Sequence, residues 1–162
     1  MLVALIVGVI RNQADASFDP LQMLDAINAR LCGRSNAATC LAMRIAADGS
    51  VTLANAGHLP PWLNGKELPV EGAVPLGLVP GADFPLTRFQ LRPDDSLMVI
   101  SDGIVEAQNE QGHLFGFDRV RQMLAKPVTA AEIAAAAQTF GQQDDISILS
   151  ITFSPALEEA TA

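Results

Sequence analysis

Positive charge is scarce in this chain: 10 Lys and Arg stand against 18 Asp and Glu over 162 residues, for a formal net charge of −8. No dense stripe of Lys or Arg occurs along it. That balance argues against a nucleic-acid-binding or anionic-membrane surface, so no nucleic-acid partner is expected. Cysteine is equally sparse, with only Cys32 and Cys40. Neither belongs to a Cys-x-x-Cys pair and no close histidine pair accompanies them, which excludes the common zinc patterns. A disulfide between them is not forced, and reduced thiols in a cytoplasmic protein are the simpler reading. The apolar opening, Met1–Ile10, is too short to span a bilayer and is closed by Arg11. It also lacks the basic start and small-residue cleavage site of a secretory signal. The chain has no Gly-x-Ser-x-Gly elbow, no phosphate-binding Gly-rich Lys loop and no Gly-x-Gly-x-x-Gly fingerprint. Cys40 falls inside an apolar strand-like run, which reads against a thiol nucleophile.

What is present suits one folded domain: 49% of residues are hydrophobic and 17% charged. Residues 1–14 read as a helix apolar nearly all round, hence buried. Asp19-Pro20 supplies a cap and first-turn proline for a second helix, whose face is marked by Leu21, Leu24, Ile27 and Leu31, with Gly33 as its stop. Strand patterns follow at 39–46, 51–55, 62–63, 68–70, 87–91 and 96–100, with Asp48-Gly49 and Asn64-Gly65 as hairpin turns. The segment after Gly103 reads as irregular, followed by helices over 117–124 and 130–140. Thr129 and Glu132 form a capping box on the second of these. A last strand is expected over 146–153, then a frayed tail over 155–162. The expected class is α+β, with helices packed on antiparallel sheet.

Two acidic motifs stand out, each attached to an apolar strand-like run. Ser101-Asp102-Gly103 follows Leu97–Ile100, and Asp144-Asp145 precedes Ile146–Ile151. Carboxylates at the ends of neighbouring strands can share one hard cation. Adjacent residues entering a strand point to opposite faces, so only one of Asp144 and Asp145 is expected to face a shared site. Each motif alone reads equally as a polar turn, since Ser, Asp and Gly all favour turns. His58, in the loop Asn55–Pro61, has no second histidine at ligand spacing and reads as a loop-packing residue.

Taken in order, the motifs resemble the bacterial branch of the PPM-type (protein phosphatase 2C-like) serine/threonine phosphatases, the branch of the sporulation stage II phosphatase and the sigma-factor regulators. The resemblance runs from Met1 to about Phe153. It rests on the apolar first helix, Ala54–Pro61 (ANAGHLPP), Pro75–Leu78 (PLGL), Leu91–Ala107 (LRPDDSLMVISDGIVEA), Phe115–Val120 (FGFDRV) and Gln143–Ser147 (QDDIS). It implies an antiparallel β-sandwich flanked by helices (αββα), here lacking its first strands, with residues 1–154 a partial phosphatase domain.

It further implies two Mg²⁺ or Mn²⁺ ions, held by aspartates, that activate water against a phosphoserine or phosphothreonine. By resemblance Asp102 and Asp144 are metal ligands, Asp145 a weaker candidate, and Ser101 and Gly103 shape the site. Two further aspartate motifs of the family pattern, a Gly-Asp and an Asp-x-Ser-Gly-x-Gly turn, do not occur here. Asp15, Asp19 and Asp25 stand in the wrong context to replace them. The expectation is therefore an incomplete, weakly active or inactive fragment. The implied substrate is a phosphoprotein such as an anti-sigma-factor antagonist, and the implied partners are an upstream sensor domain and a second copy of the chain. The domain is expected to be cytoplasmic, with a membrane anchor in a full-length protein left open. The alternative is a non-catalytic interaction scaffold with the same fold.

Overall fold

Short turns and helix caps fix the element boundaries of this protein. The computed structural model describes residues 2–13, 19–34 and 37–154, with first-helix side chains from Ile6 to Arg11. In chain order the elements are α1 (Leu2–Gln13), α2 (Pro20–Leu31), β1 (Cys40–Ile45), β2 (Ser50–Ala56), β3 (Trp62–Leu63), β4 (Lys66–Glu67), β5 (Leu86–Gln90), β6 (Ser96–Ile100), α3 (Asp102–Val105), α4 (Gly116–Leu124), α5 (Ala130–Gly141) and β7 (Ile148–Thr152). All strand pairs are antiparallel and form two sheets, ordered β1-β2-β5 and β4-β3-β6-β7. The α+β class expected from the sequence is thus the observed one. The expected tail, 155–162, and Asp15 lie outside the described residues. No described helix is long and apolar enough to cross a membrane.

The chain forms two compact units. The first holds Met1–His58 and Val70–Leu91. Here Gly49, at φ 83°, turns β1 into β2, and Asp48 accepts from the Ser50 amide (2.9 Å) and hydroxyl (2.7 Å). These bonds hold the Asp48 carboxyl below its usual range. Asp19 caps α2 by accepting from the Leu21 amide at 3.0 Å, with Pro20 in the first turn. The face of α2 carrying Leu24, Ile27 and Leu31 is fully buried with Ala42, Ala54, Ala56, Leu76 and Phe84.

The first helix departs from expectation. Val9 is buried in this core, with Ile6 packed against it, while Val7 and Ile10 are 39% and 43% exposed. A single helix laid on one core buries only the stripe that meets it, however apolar its remaining faces.

Asn28 lies on the apolar face of α2 and is buried, but both of its side-chain polar atoms have partners. Its Nδ2 donates to the Val79 carbonyl at 3.0 Å, and its Oδ1 accepts from the Gly77 amide at 2.8 Å and the Cys32 thiol at 3.6 Å. One side chain thereby ties the Pro75–Gly81 loop to the helix.

The second unit holds Leu59–Pro69 and Arg92–Ser154. Asn64 (φ 50°) and Gly65 (φ 76°) both take left-handed conformations, as a two-residue primed turn requires. That turn pairs Leu63 with Lys66 and Trp62 with Glu67, so the returning strand is Lys66–Glu67 and not 68–70. Asn64 also donates to Asp95 at 2.7 Å and accepts from the Ser96 amide at 2.9 Å, fixing the start of β6. The core gathers Trp62, Met98, Ile100, Ile104, Phe115, Val120, Leu124 and Ile133. The expected capping box starts α5: the Thr129 amide donates to Glu132 at 2.7 Å and the Glu132 amide to the Thr129 hydroxyl at 3.2 Å.

Asn28→Ala removes the partners of two loop backbone groups, and a loss of about 1–3 kcal/mol is expected on urea unfolding. An unchanged midpoint would show that the loop is held by other means. Asp95 gives a pH test. Its carboxyl is lowered by the Arg92 amide first and then by Asn64. A depressed folded pKa contributes stability above the unfolded value, near 3.9, that is lost as pH falls through the folded value. Asp95→Asn is therefore expected to shrink the fall in melting temperature below pH 4, and an acid limb identical to the parent's would refute this.

Candidate functional site

Ile100, the last residue of β6, is 1% exposed and ends an apolar strand anchored in the second unit's core. The chain then turns directly into α3, a four-residue helix not expected from the sequence, and the expected irregular segment follows over 106–115. Gly103, Ile104 and Val105 of this turn are buried, while Asp102 is exposed. The carboxylate is thus mounted on a turn whose other residues are held in the core. Asp102 Oδ1 accepts from the Gly103 amide at 3.0 Å, which fixes one oxygen.

The strand expected over 146–153 begins only at Ile148, so the second acidic motif does not enter it directly. Asp144 and Asp145 occupy the bend preceding β7, where strand alternation does not sort their side chains. Both are exposed. Asp144 Oδ1 accepts from the Asp145 amide at 2.7 Å, an arrangement like that of Asp102 with Gly103.

The two motifs are bonded together. The Ser101 amide donates to the Ser147 carbonyl at 2.9 Å, and the Ser147 amide donates to the Ser101 hydroxyl at 2.9 Å. That hydroxyl in turn donates to the Asp145 carbonyl at 3.4 Å. A Cβ on Gly103 would collide with the same Asp145 carbonyl. Glycine is therefore required at position 103 by close backbone approach rather than by its φ.

Residues that the sequence reading missed hold the Asp144 bend from its other side. The Gly141 carbonyl accepts from the Gln108 amide at 2.7 Å, and Gln143 donates to the Gln108 side chain at 3.1 Å. Gln142 donates to the Asp144 carbonyl at 3.0 Å. Gly141 sits at φ 145°, and a Cβ there would strike the Gln108 carbonyl. The available signal was a glycine between an alanine-rich helix and two glutamines.

His58 is placed in the first unit as a loop residue: its amide donates to Asn55 Oδ1 and its carbonyl accepts from Asn55 Nδ2, both at 2.9 Å. Gly57 (φ 72°) backs onto the Pro75 ring, so the Ala54–Pro61 and Pro75–Leu78 motifs meet there. Among the described residues no three His, Cys, Asp or Glu side chains gather as a metal-holding group.

The profile of the stage II sporulation protein E (SpoIIE) family matches residues 1–154. The chain belongs to the SpoIIE family of PP2C-type phosphatases. Solved structures with the same fold include the PP2C phosphatase domain and a regulatory-domain fragment of SpoIIE from Bacillus subtilis, at 16% identity and a TM-score of 0.73, covering 94% of this chain and 48% of that one. The RsbU and RsbW domains of Rv1364c from Mycobacterium tuberculosis match at 21% identity and a TM-score of 0.71, covering 96% and 48%. RsbX in complex with magnesium matches at 16% identity and a TM-score of 0.70, covering 94% and 73%. The chain thus spans about half the length of the first two structures. No curated relative matches the sequence. In this SpoIIE-family chain the motifs Ser101–Gly103 and Asp144–Ser147 are therefore two ends of one bonded assembly in the second unit.

The close contact at Gly103 yields a stability test. Gly103→Ala is expected to cost about 1–3 kcal/mol by overpacking. Ser101→Ala, which removes one hydroxyl bridge, is expected to cost about 1 kcal/mol. If the alanine at 103 leaves the urea midpoint unchanged, the Asp145 carbonyl does not constrain that position.

Proposed function

We propose that this chain is the part of a metal-dependent phosphoserine/phosphothreonine protein phosphatase that carries Asp102 and the Asp144-Asp145 bend. The carrying observation is the bonded pair of motifs, which holds exposed carboxylates on two segments joined by Ser101 and Ser147. Their chemistry fits Mg²⁺ or Mn²⁺: the donors are hard oxygens, and no thiol or imidazole lies in either motif. Family membership and the magnesium-bound RsbX structure support the same choice of metal.

In this reading Asp102 and Asp144 hold the metal, with Asp145 as a further donor. Ser101 and Gly103 set how closely the two segments approach. When bound, the metal supplies an activated water and neutralises phosphoryl charge. The chain's own residues orient that chemistry. The bonds from the Gly103 amide to Asp102 and from the Asp145 amide to Asp144 each fix one carboxylate oxygen, leaving the other for a ligand. Two or three carboxylates hold such ions weakly unless further donors complete the shell. Weak activity of this chain by itself follows, with full activity requiring acidic donors beyond those described.

The substrate we infer is a phosphorylated regulatory protein of the anti-sigma-factor-antagonist kind, in sigma-factor signalling. The support is the RsbU and RsbW pairing in a protein of the same fold. Regulation by an upstream sensor domain is inferred in the same way, from the regulatory-domain fragment in the SpoIIE structure. The partly exposed apolar face of α1 supports contact with a second copy.

Calorimetric titration with Mn²⁺, beside an aryl-phosphate hydrolysis assay, tests the reading. Weak saturable binding is expected, with Asp102→Asn lowering affinity at least tenfold and abolishing any Mn²⁺-dependent hydrolysis. Asparagine keeps the acceptor for the Gly103 amide, so folding is preserved. Equal binding by parent and variant would remove Asp102 from the metal site, and no binding by either would favour a scaffold role.

A further inference from the structure

A polar depression of about 280 Å³ in the first unit carries chemistry that the acidic site does not use. Its floor is set by strand register. Arg44 on β1 pairs with Thr52 on β2, and Thr52 pairs with Arg88 on β5. Directly paired residues share a face, so the three side chains form one row across the sheet. Strands about 4.8 Å apart put the two arginine backbones about 10 Å apart, with the threonine midway. Gln22, in the first turn of α2, lines the same depression.

Arg44 and Arg88 are exposed, and neither forms an ion pair among the described residues. Acids are present as well: the Asp48 carboxyl, which accepts twice from Ser50, is held down in part by the Arg44 charge, and Asp19, which lines the depression, accepts from the Leu21 amide. Two like charges on one sheet face repel each other unless an opposite charge joins them. The chain has only ten cationic side chains, and two of them flank a hydroxyl here.

We propose that the Arg44–Thr52–Arg88 row binds a phosphate or phosphoryl group. Each guanidinium presents a planar fork that matches two oxygens of a tetrahedral oxyanion. The Thr52 hydroxyl donates to the same anion from between them. The row shares no residue with the acidic motifs, and the assignment stands whether or not the chain hydrolyses phosphate.

The test titrates inorganic phosphate into the metal-free chain in the presence of a chelator, reading ¹⁵N shifts of backbone amides and arginine Nε groups. O-phospho-L-serine and acetate are run in parallel. Saturable shifts confined to Arg44, Thr52, Arg88 and Gln22 are expected, and acetate should bind at least tenfold more weakly than phosphate. Arg44→Gln and Arg88→Gln should each weaken phosphate at least tenfold, while Lys66→Gln should change nothing. If phosphoserine binds as tightly as phosphate or tighter, the ligand is a phosphorylated protein; if only phosphate binds, it is the free anion. Shifts elsewhere, no saturation, or equal binding of acetate would overturn the proposal. Because the parent chain alone locates the shifts, a variant that fails to fold does not remove the test.

Discussion

The acidic centre depends on how closely two chain segments can approach, and Ser101 and Gly103 set that distance together. Ser101 uses its backbone amide and its hydroxyl to extend the antiparallel pairing of β6 with β7 by one further step, at Ser147. Gly103 then removes the one side-chain atom that would keep the Asp145 carbonyl away. A larger residue at 103 would push the bend outward, and a residue without a hydroxyl at 101 would leave the Ser147 amide without this acceptor. The positions of Asp102 and of the Asp144 bend follow from these two neighbours more than from the aspartates themselves.

Behind that contact lies an asymmetry of burial. The strand β6 is anchored by Met98 and Ile100 in the core, and the first turn of α3 continues that anchoring through Ile104 and Val105. Asp102 is carried on the exposed side of a rigid support. The Asp144 bend is exposed, and only the partly buried Ile146 that follows it packs against the same core. Polar links to Gln108 through Gly141 and Gln143 hold it as well. Hydrogen bonds near the surface contribute about 1 kcal/mol each, whereas a fully buried aliphatic side chain contributes about 2 kcal/mol or more. Asp102 therefore takes more of its support from buried side chains than the Asp144 bend does.

Much of this was legible in the sequence wherever a local rule had a single physical solution. Asp48-Gly49 and Asn64-Gly65 could only be tight turns, Asp19-Pro20 could only start a helix, and Thr129 with Glu132 could only cap one. The acidic motifs were visible as motifs, but their bonding was not, because it joins residues 46 positions apart. The short helix α3 escaped because four residues carry no periodic signal. The return strand was misplaced because Leu68–Val70 is the more apolar candidate, yet a two-residue turn leaves no room for any pairing but Leu63 with Lys66. Asn28 sits four residues after Leu24 and three before Leu31, on the buried face. A polar side chain there implies a buried partner, but nothing in the sequence says that the partner is the backbone of Gly77 and Val79.

The placement of charge bears on whether the acidic centre evolved to hold something. Arg121 forms ion pairs with Glu67 and Asp118, so the second unit neutralises acids where it has cations to spend. Among the described residues no such pair involves Asp102, Asp144 or Asp145. In the function we propose, a divalent cation would attract carboxylates on both segments. The exposed acids and the close approach at Gly103 belong to one bonded arrangement, and the backbone contact supplies its geometry.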